Sequence, residues 1–175
     1  MGGRSVYLHV LIAIVFIAII IVVTYVVYKR RINAMHNILF DEIKKELNNI
    51  IQIYYKQNSF YDIYVETTYA RYYFKIVTNT NDKILHIDRN YNFYLLNKPT
   101  EKRKNRLDLD GFLNLSPSNK DKRVNKLLIL YPNVKEKVYY KSNVEARFVY
   151  TDSEFKGVRI INFDELSSFL KNQEV

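Results

Sequence analysis

The spacing of apolar positions changes several times along this chain, and each change marks an element. Residues 6–28 (VYLHVLIAIVFIAIIIVVTYVVY) contain no Asp, Glu, Lys or Arg. Residues 32–57 then follow a helical period. Met35, Ile38, Leu39, Ile43, Leu47, Ile50, Ile51 and Tyr54 recur at steps of three and four, with Asp41, Glu42, Lys44, Lys45, Asn48, Asn49 and Gln52 on the other side. That pattern predicts an amphipathic helix. Period two takes over next. Residues 61–67 (YDIYVET) alternate, with Ile63 and Val65 on one face. Residues 71–78 (RYYFKIVT), 83–88 (KILHID) and 91–97 (YNFYLLN) are rich in the aromatic and branched side chains of strands. The short links at 68–70 and 79–82 predict antiparallel hairpins.

Residues 98–125 break the pattern, and only 107–113 (LDLDGFL) has apolar positions able to dock. Order returns at 126–131 (KLLILY), a continuous apolar run typical of a strand buried on both faces. A short helix is predicted over 134–142, and strands over 146–151 (ARFVYT) and 158–163 (VRIINF). A last helix runs to about residue 172, opened by a capping box of Asn162 and Glu165, with Leu166, Phe169 and Leu170 facing inward. The sum is an α/β (α+β) domain: a mixed, mainly antiparallel sheet covered by helices, behind an apolar N-terminal helix.

The apolar run sets the context. A helix rises about 1.5 Å per residue and the hydrocarbon core is about 30 Å thick, so roughly 20 apolar residues cross it. A signal peptide would be shorter and end in small residues. This run ends in Tyr25, Val26, Val27 and Tyr28, which predicts an uncleaved signal anchor of a single-pass membrane protein. Tyr7 and Tyr28 suit the aromatic belts at the two interfaces, and His9 is given no role. The flank at residues 1–5 holds Arg4. The other flank holds Lys29, Arg30 and Arg31, with no acid before Asp41. The positive-inside rule therefore predicts residues 29–175 in the cytoplasm.

Charge narrows the partners. Lys and Arg number 27 against 18 Asp and Glu, a net charge of +9, which favours anionic surfaces. Sixteen Tyr and ten Phe against four Gly and three Pro argue for a packed domain. The 98–125 loop concentrates Lys102, Arg103, Lys104, Arg106, Lys120, Lys122 and Arg123. It is either a solvated loop or a site for an anionic ligand, lipid headgroups or nucleic acid. Tyr69, Arg71, Tyr72 and Tyr73 interleave rings and charge, which suits base stacking as well as ordinary sheet packing.

Most catalytic classes are excluded. There is no Cys, so no thiol nucleophile and no thiolate metal site. His9, His36 and His86 are widely separated, and the four glycines build no phosphate loop.

One resemblance remains. The stretches 127–133 (LLILYPN), 147–150 and 157–166 (GVRIINFDEL), with the order helix, strands, strand–helix–strand, resemble the closing elements of restriction-endonuclease-like, nuclease-related domains on membrane-anchored bacterial proteins. The resemblance covers residues 32–170. It implies a Mg²⁺-dependent nuclease centre with an acid on one strand and an acid-x-Lys on the next, holding the metal and the attacking water. Asp62 or Glu66 would be the first acid and Lys75 the lysine. The position two before Lys75 is Tyr73, and a phenol is a poor ligand for a hard cation. Glu66 or Asp88 would have to replace the displaced acid, and the hairpin would bring Glu66 beside Lys75. Read without the resemblance, Asp62 and Glu66 are solvated acids on the polar side of a strand, and Lys75 is a strand-face lysine.

The expectation is a membrane-anchored, non-catalytic binding or scaffold domain that needs no metal or cofactor. Its partners would be the membrane, anionic lipid headgroups, nucleic acid or another protein. The alternative is the divalent-metal nuclease. A third reading is a pilin-like subunit, in which an apolar helix continues into an amphipathic one. Lys29, Arg30 and Arg31 in mid-helix speak against it.

Overall fold

The computed structural model describes residues 3–55, 60–78, 80–99, 105–116, 121–142, 145–151 and 153–173, with the side chains of 3–8 and 31 outside that description. The chain divides into two compact units, Met1–Glu42 and Ile43–Val175.

The first unit is helical. Helix α1 runs Gly3–Glu46 without a break, so Lys29 and Arg30 lie within it. Residues 9–30 are all exposed, among them the large apolar side chains from Val10 to Tyr28. Burying one such side chain is worth roughly 1.5–3 kcal/mol, so more than a dozen left in water would cost tens. Lipid removes that cost. This one helix is long and apolar enough to cross a membrane. The Thr24 hydroxyl donates to the Ile20 carbonyl at 2.8 Å, which satisfies it inside the helix.

Helix α1 stops at Glu46, not near residue 57. Asn49 takes a left-handed φ of 53°, and the next residues, IIQIYY, form a strand. Ile50, Ile51 and Tyr54 fit a helical period by coincidence. Their branched and aromatic side chains prefer the pleated backbone.

The second unit holds β1 Ile50–Tyr55, β2 Ile63–Thr67, β3 Ala70–Thr78, β4 Ile84–Ile87, β5 Phe93–Leu96, α2 Asp110–Leu113, β6 Arg123–Tyr131, β7 Glu136–Tyr140, β8 Ala146–Phe148, β9 Glu154–Phe155, β10 Val158–Asn162 and α3 Leu166–Lys171. The fold is α+β with mixed sheets, but there are two sheets where one was expected. Six strands follow the order β1-β2-β3-β6-β10-β9, and four follow β5-β4-β7-β8. The expected β3–β4 hairpin does not form: β4 pairs with β5 and β7 in the second sheet instead. Residues 136–140 are a strand rather than part of a helix, because Val138, Tyr139 and Tyr140 favour a sheet position beside β4. Strand β9 is an addition. Lys156 (φ 51°) and Gly157 (φ 73°) close a two-residue hairpin between Phe155 and Val158, the turn that needs two left-handed residues.

Strand β6 is the axis. It pairs in parallel with β3 on one side and β10 on the other, and Leu127 to Leu130 are all fully buried. One face of the large sheet, with Tyr64, Tyr73, Val77, Leu128, Leu130, Val158 and Ile160, shares a core with Leu85, Ile87, Phe93 and Leu95 of the small sheet and with Phe112 and Leu113 of α2. On the opposite face the Arg159 guanidinium stands 5.5 Å from the centroid of the Phe169 ring of α3. The Asn162–Glu165 capping box opens a 3₁₀ turn at Phe163–Glu165 that leads into α3, whose Leu166, Phe169 and Leu170 are buried as the sequence predicts.

Candidate functional site

The β2–β3 hairpin decides which charges meet. Ile63 stands opposite Phe74 and Glu66 opposite Arg71. The turn between them is tight: the Thr67 hydroxyl accepts from the Ala70 N–H at 3.1 Å. This register brings Asp62, just ahead of β2, beside Lys75 on β3. It sets Glu66 at the other end of the hairpin, about four residues and therefore roughly 13 Å along the strand. Glu66 and Lys75 are not neighbours, which corrects the expected pairing.

Asp62 is buried, not solvated. Its Oδ1 accepts from Lys75 Nζ at 3.1 Å, and its Oδ2 accepts from the Ile76 N–H at 2.8 Å. Its own N–H donates to the Phe74 carbonyl at 2.8 Å. Each carboxylate oxygen therefore accepts one hydrogen bond from the partner strand. Lys75 is largely buried beside it and serves as its counter-ion.

Tyr73, two residues before Lys75, belongs to an aromatic ladder. Tyr54, Tyr64 and Tyr73 are successive cross-strand partners on β1, β2 and β3, with ring centroids 4.9 and 5.1 Å apart. Tyr61 packs on Tyr73 at 5.3 Å, and the hydroxyls of Tyr54 and Tyr61 lie 3.0 Å apart. Burial raises the Tyr54 hydroxyl to about 12 and pushes Tyr64 and Tyr73 upward as well. These phenols are neutral at pH 7, so Tyr73 offers no anionic oxygen. Tyr72 and Tyr73 are both buried, so neither presents a ring face to a base; Tyr69 alone of the three is exposed.

Glu66 has a different neighbourhood. Lys122 Nζ donates to it at 2.8 Å, the Tyr64 hydroxyl donates at 2.7 Å, and Arg71 Nε stands 3.5 Å away. The Lys122 hydrogen bond first, and the Tyr64 hydroxyl second, hold its carboxyl down at about 2. Lys122 also donates to the Thr67 carbonyl at 2.8 Å, so it ties the approach to β6 to the hairpin turn rather than reaching out from a loop. Asp88 builds the β4–β5 turn, accepting from the N–H groups of Asn90 and Asn92 at 2.8 and 2.9 Å. It stands in the small sheet, not beside Lys75. Among the described residues no group of three His, Asp or Glu side chains is placed to hold a metal ion.

The basic loop divides. Arg106 grips Asp110 through Nη2, at 2.8 and 3.0 Å from its two oxygens. Lys102, Arg103, Lys104 and Lys120 lie outside the described residues. Arg123 opens β6, is exposed, and has no ion-pair partner among the described residues. Lys29 and Arg30 are exposed on α1, and the Arg31 side chain is outside the description.

The sequence gives little sign of one further feature. Pairing between β6 and β10 begins only at Lys126 and Val158, so residues 123–125 run on with no strand beside them on that side among the described residues. A cavity of about 290 Å³ opens there, lined by Arg123, Asn125, Lys126, Glu154, Gly157 and Arg159 among others. Lys126 Nζ donates to the Leu113 and Leu115 carbonyls at 2.9 and 3.3 Å, and burial lowers its pKa. Arg159 Nε faces Glu154 at 3.9 Å. Asn125 is buried, and its Nδ2 has no hydrogen-bond partner among the described residues. The only signal in the sequence was the close spacing of Arg123, Asn125 and Lys126, and it was divided between a loop and a core strand.

No family model, no curated protein and no solved structure matches this chain.

Proposed function

We propose that this protein is a membrane-anchored, non-catalytic binding domain, with residues 29–175 in the cytoplasm. We propose further that its large sheet is a restriction-endonuclease-like scaffold whose metal centre has become a structural ion pair. The observation that carries the reading is the state of Asp62. It is buried, its two oxygens each accept a hydrogen bond, from Lys75 Nζ and from the Ile76 N–H, and the place of the second acid holds buried, neutral Tyr73. A hard divalent cation needs several oxygen ligands, and one engaged carboxylate does not supply them. Support for the scaffold comes from an acid ahead of β2, a lysine on β3, and a parallel β3-β6-β10 core behind an antiparallel meander. Support for the orientation comes from the Lys29-Arg30-Arg31 flank, where each cation near an anionic leaflet is worth about 1 kcal/mol.

The test is a cleavage assay on the full chain in detergent micelles, with DNA and with RNA, in Mg²⁺ and in Mn²⁺. No cleavage is expected. Cleavage that disappears in Asp62→Asn or Lys75→Met, with the fold retained, would overturn the reading and establish the nuclease. Reporter fusions at the C-terminus test the orientation: activity only on the outer side would contradict it.

A further inference from the structure

The cavity beside the first residues of β6 is where the fold leaves polar groups unanswered. Asn125 is 8% exposed and lines it, yet its Nδ2 has no acceptor among the described residues. A buried donor without a partner is costly, and folds keep such groups where something else supplies the acceptor. The charges around it are unbalanced in the same sense. Among the described residues Arg123, Lys126 and Arg159 line the cavity with a single acid, Glu154, a surplus of two positive charges. Glu154 is shared: Arg159 Nε stands 3.9 Å from it and its charge also acts on Lys126, so Arg123 is the lining cation with no ion-pair partner among the described residues. Lys126 spends two of its three N–H donors on the Leu113 and Leu115 carbonyls.

We propose that this cavity binds a phosphomonoester group, carried by a small soluble metabolite or by a lipid headgroup. A phosphomonoester has a charge of about −1.5 to −2 at pH 7 and three acceptor oxygens. That matches two surplus cations plus the free amide donor of Asn125. A phosphodiester carries one charge and leaves one cation unanswered. A cavity of about 290 Å³ admits a compact group rather than a polymer backbone. Arg123 is the residue best suited to fork two of the oxygens. The inference deepens the binding role proposed above and rests on it, but its chemistry is independent of the Asp62–Lys75 pair.

The experiment uses the full chain in neutral detergent micelles. Thermal unfolding and calorimetric titration follow the addition of glycerol 3-phosphate, of dihexanoyl phosphatidic acid, and of glycerophosphocholine as the diester control. At least one monoester is expected to bind and to raise Tm, with the diester inert. The stronger of the two monoesters identifies the source, metabolite or lipid. Arg123→Gln, on an exposed side chain, should weaken binding about tenfold or more without disturbing the fold. Asn125→Leu should do the same, while Lys135→Gln, which removes an exposed charge elsewhere, should leave affinity unchanged. Failure of both monoesters to bind, equal binding of the diester, or wild-type affinity in Arg123→Gln would overturn the proposal. Nucleic-acid cleavage alongside monoester binding would overturn the non-catalytic reading and keep the cavity. The absence of both cleavage and monoester binding would overturn the cavity proposal and leave the non-catalytic reading standing.

Discussion

Two charged clusters of the same sheet have opposite characters. At Asp62 and Lys75 the carboxylate is buried, its counter-ion lies 3.1 Å away, and the adjacent strand donates a backbone N–H to the second oxygen. Around Arg123 and Lys126 the cations outnumber the acids and a buried amide nitrogen lacks a partner. The first cluster resembles a catalytic centre in sequence and behaves as part of the fold. The second has no motif and is the one with unspent donors. Residue types at suggestive spacing are therefore a weaker guide to a binding site than the count of hydrogen bonds each group still has to make.

The comparison breaks most easily at Lys75. Lys75→Met would strand the Asp62 carboxylate in a site where its side chain is only 4% exposed. We expect a stability loss of about 3 kcal/mol in denaturant unfolding of the full chain. The double change Asp62→Leu with Lys75→Met should recover most of it, because the penalty lies in the unpaired charge. A loss within the range of ordinary surface substitutions, about 0.5 kcal/mol, would mean that the pair is not part of the fold.

Lys126→Met probes the open cluster and should cost less, about 1–2 kcal/mol, since it removes two hydrogen bonds to backbone carbonyls rather than a buried ion pair. It should also abolish the stabilisation by a phosphomonoester. If it cost as much as Lys75→Met, the two clusters would not differ in kind.

The smallest effect is a pH signature. The folded state holds Glu66 at about 2, below the ordinary carboxylate value of 4.5. A depressed folded pKa adds stability above the unfolded value, and that stability fades as pH falls through the folded one. Glu66→Gln should therefore be less stable than wild type at pH 7. The gap should close between about pH 4.5 and pH 2. A gap constant down to pH 2 would show that the ion contacts with Lys122 and Arg71 contribute nothing.

Much of the chain was legible from pattern alone. The apolar run at 6–28, β3, the 126–131 part of β6 and the Asn162–Glu165 capping box each depend on local spacing, and each lies where the sequence predicts it; β6 itself begins at Arg123, three residues inside the stretch read as a loop. Strands β1 and β7 were misread because short apolar runs such as IIQIYY satisfy both a helical and a strand period. The two-sheet arrangement was hidden because a four-residue link serves equally as a hairpin or as an exit from the sheet. The site was less legible still. Whether Lys75 meets Asp62 or Glu66 depends on the hairpin register, which the Thr67–Ala70 turn sets, and only a register shifted by four positions along the pairing would set Lys75 opposite Glu66. The cavity arises where β10 begins three residues later than β6, a tertiary fact with no local trace.

The central claim is that Asp62 is closed to metal. Electron paramagnetic resonance of Mn²⁺, titrated against the full chain in neutral micelles with Asp62→Asn in parallel, tests it most directly. The account predicts that both proteins leave the signal of free aqueous Mn²⁺ undiminished. A bound Mn²⁺ in wild type that Asp62→Asn abolishes would contradict it.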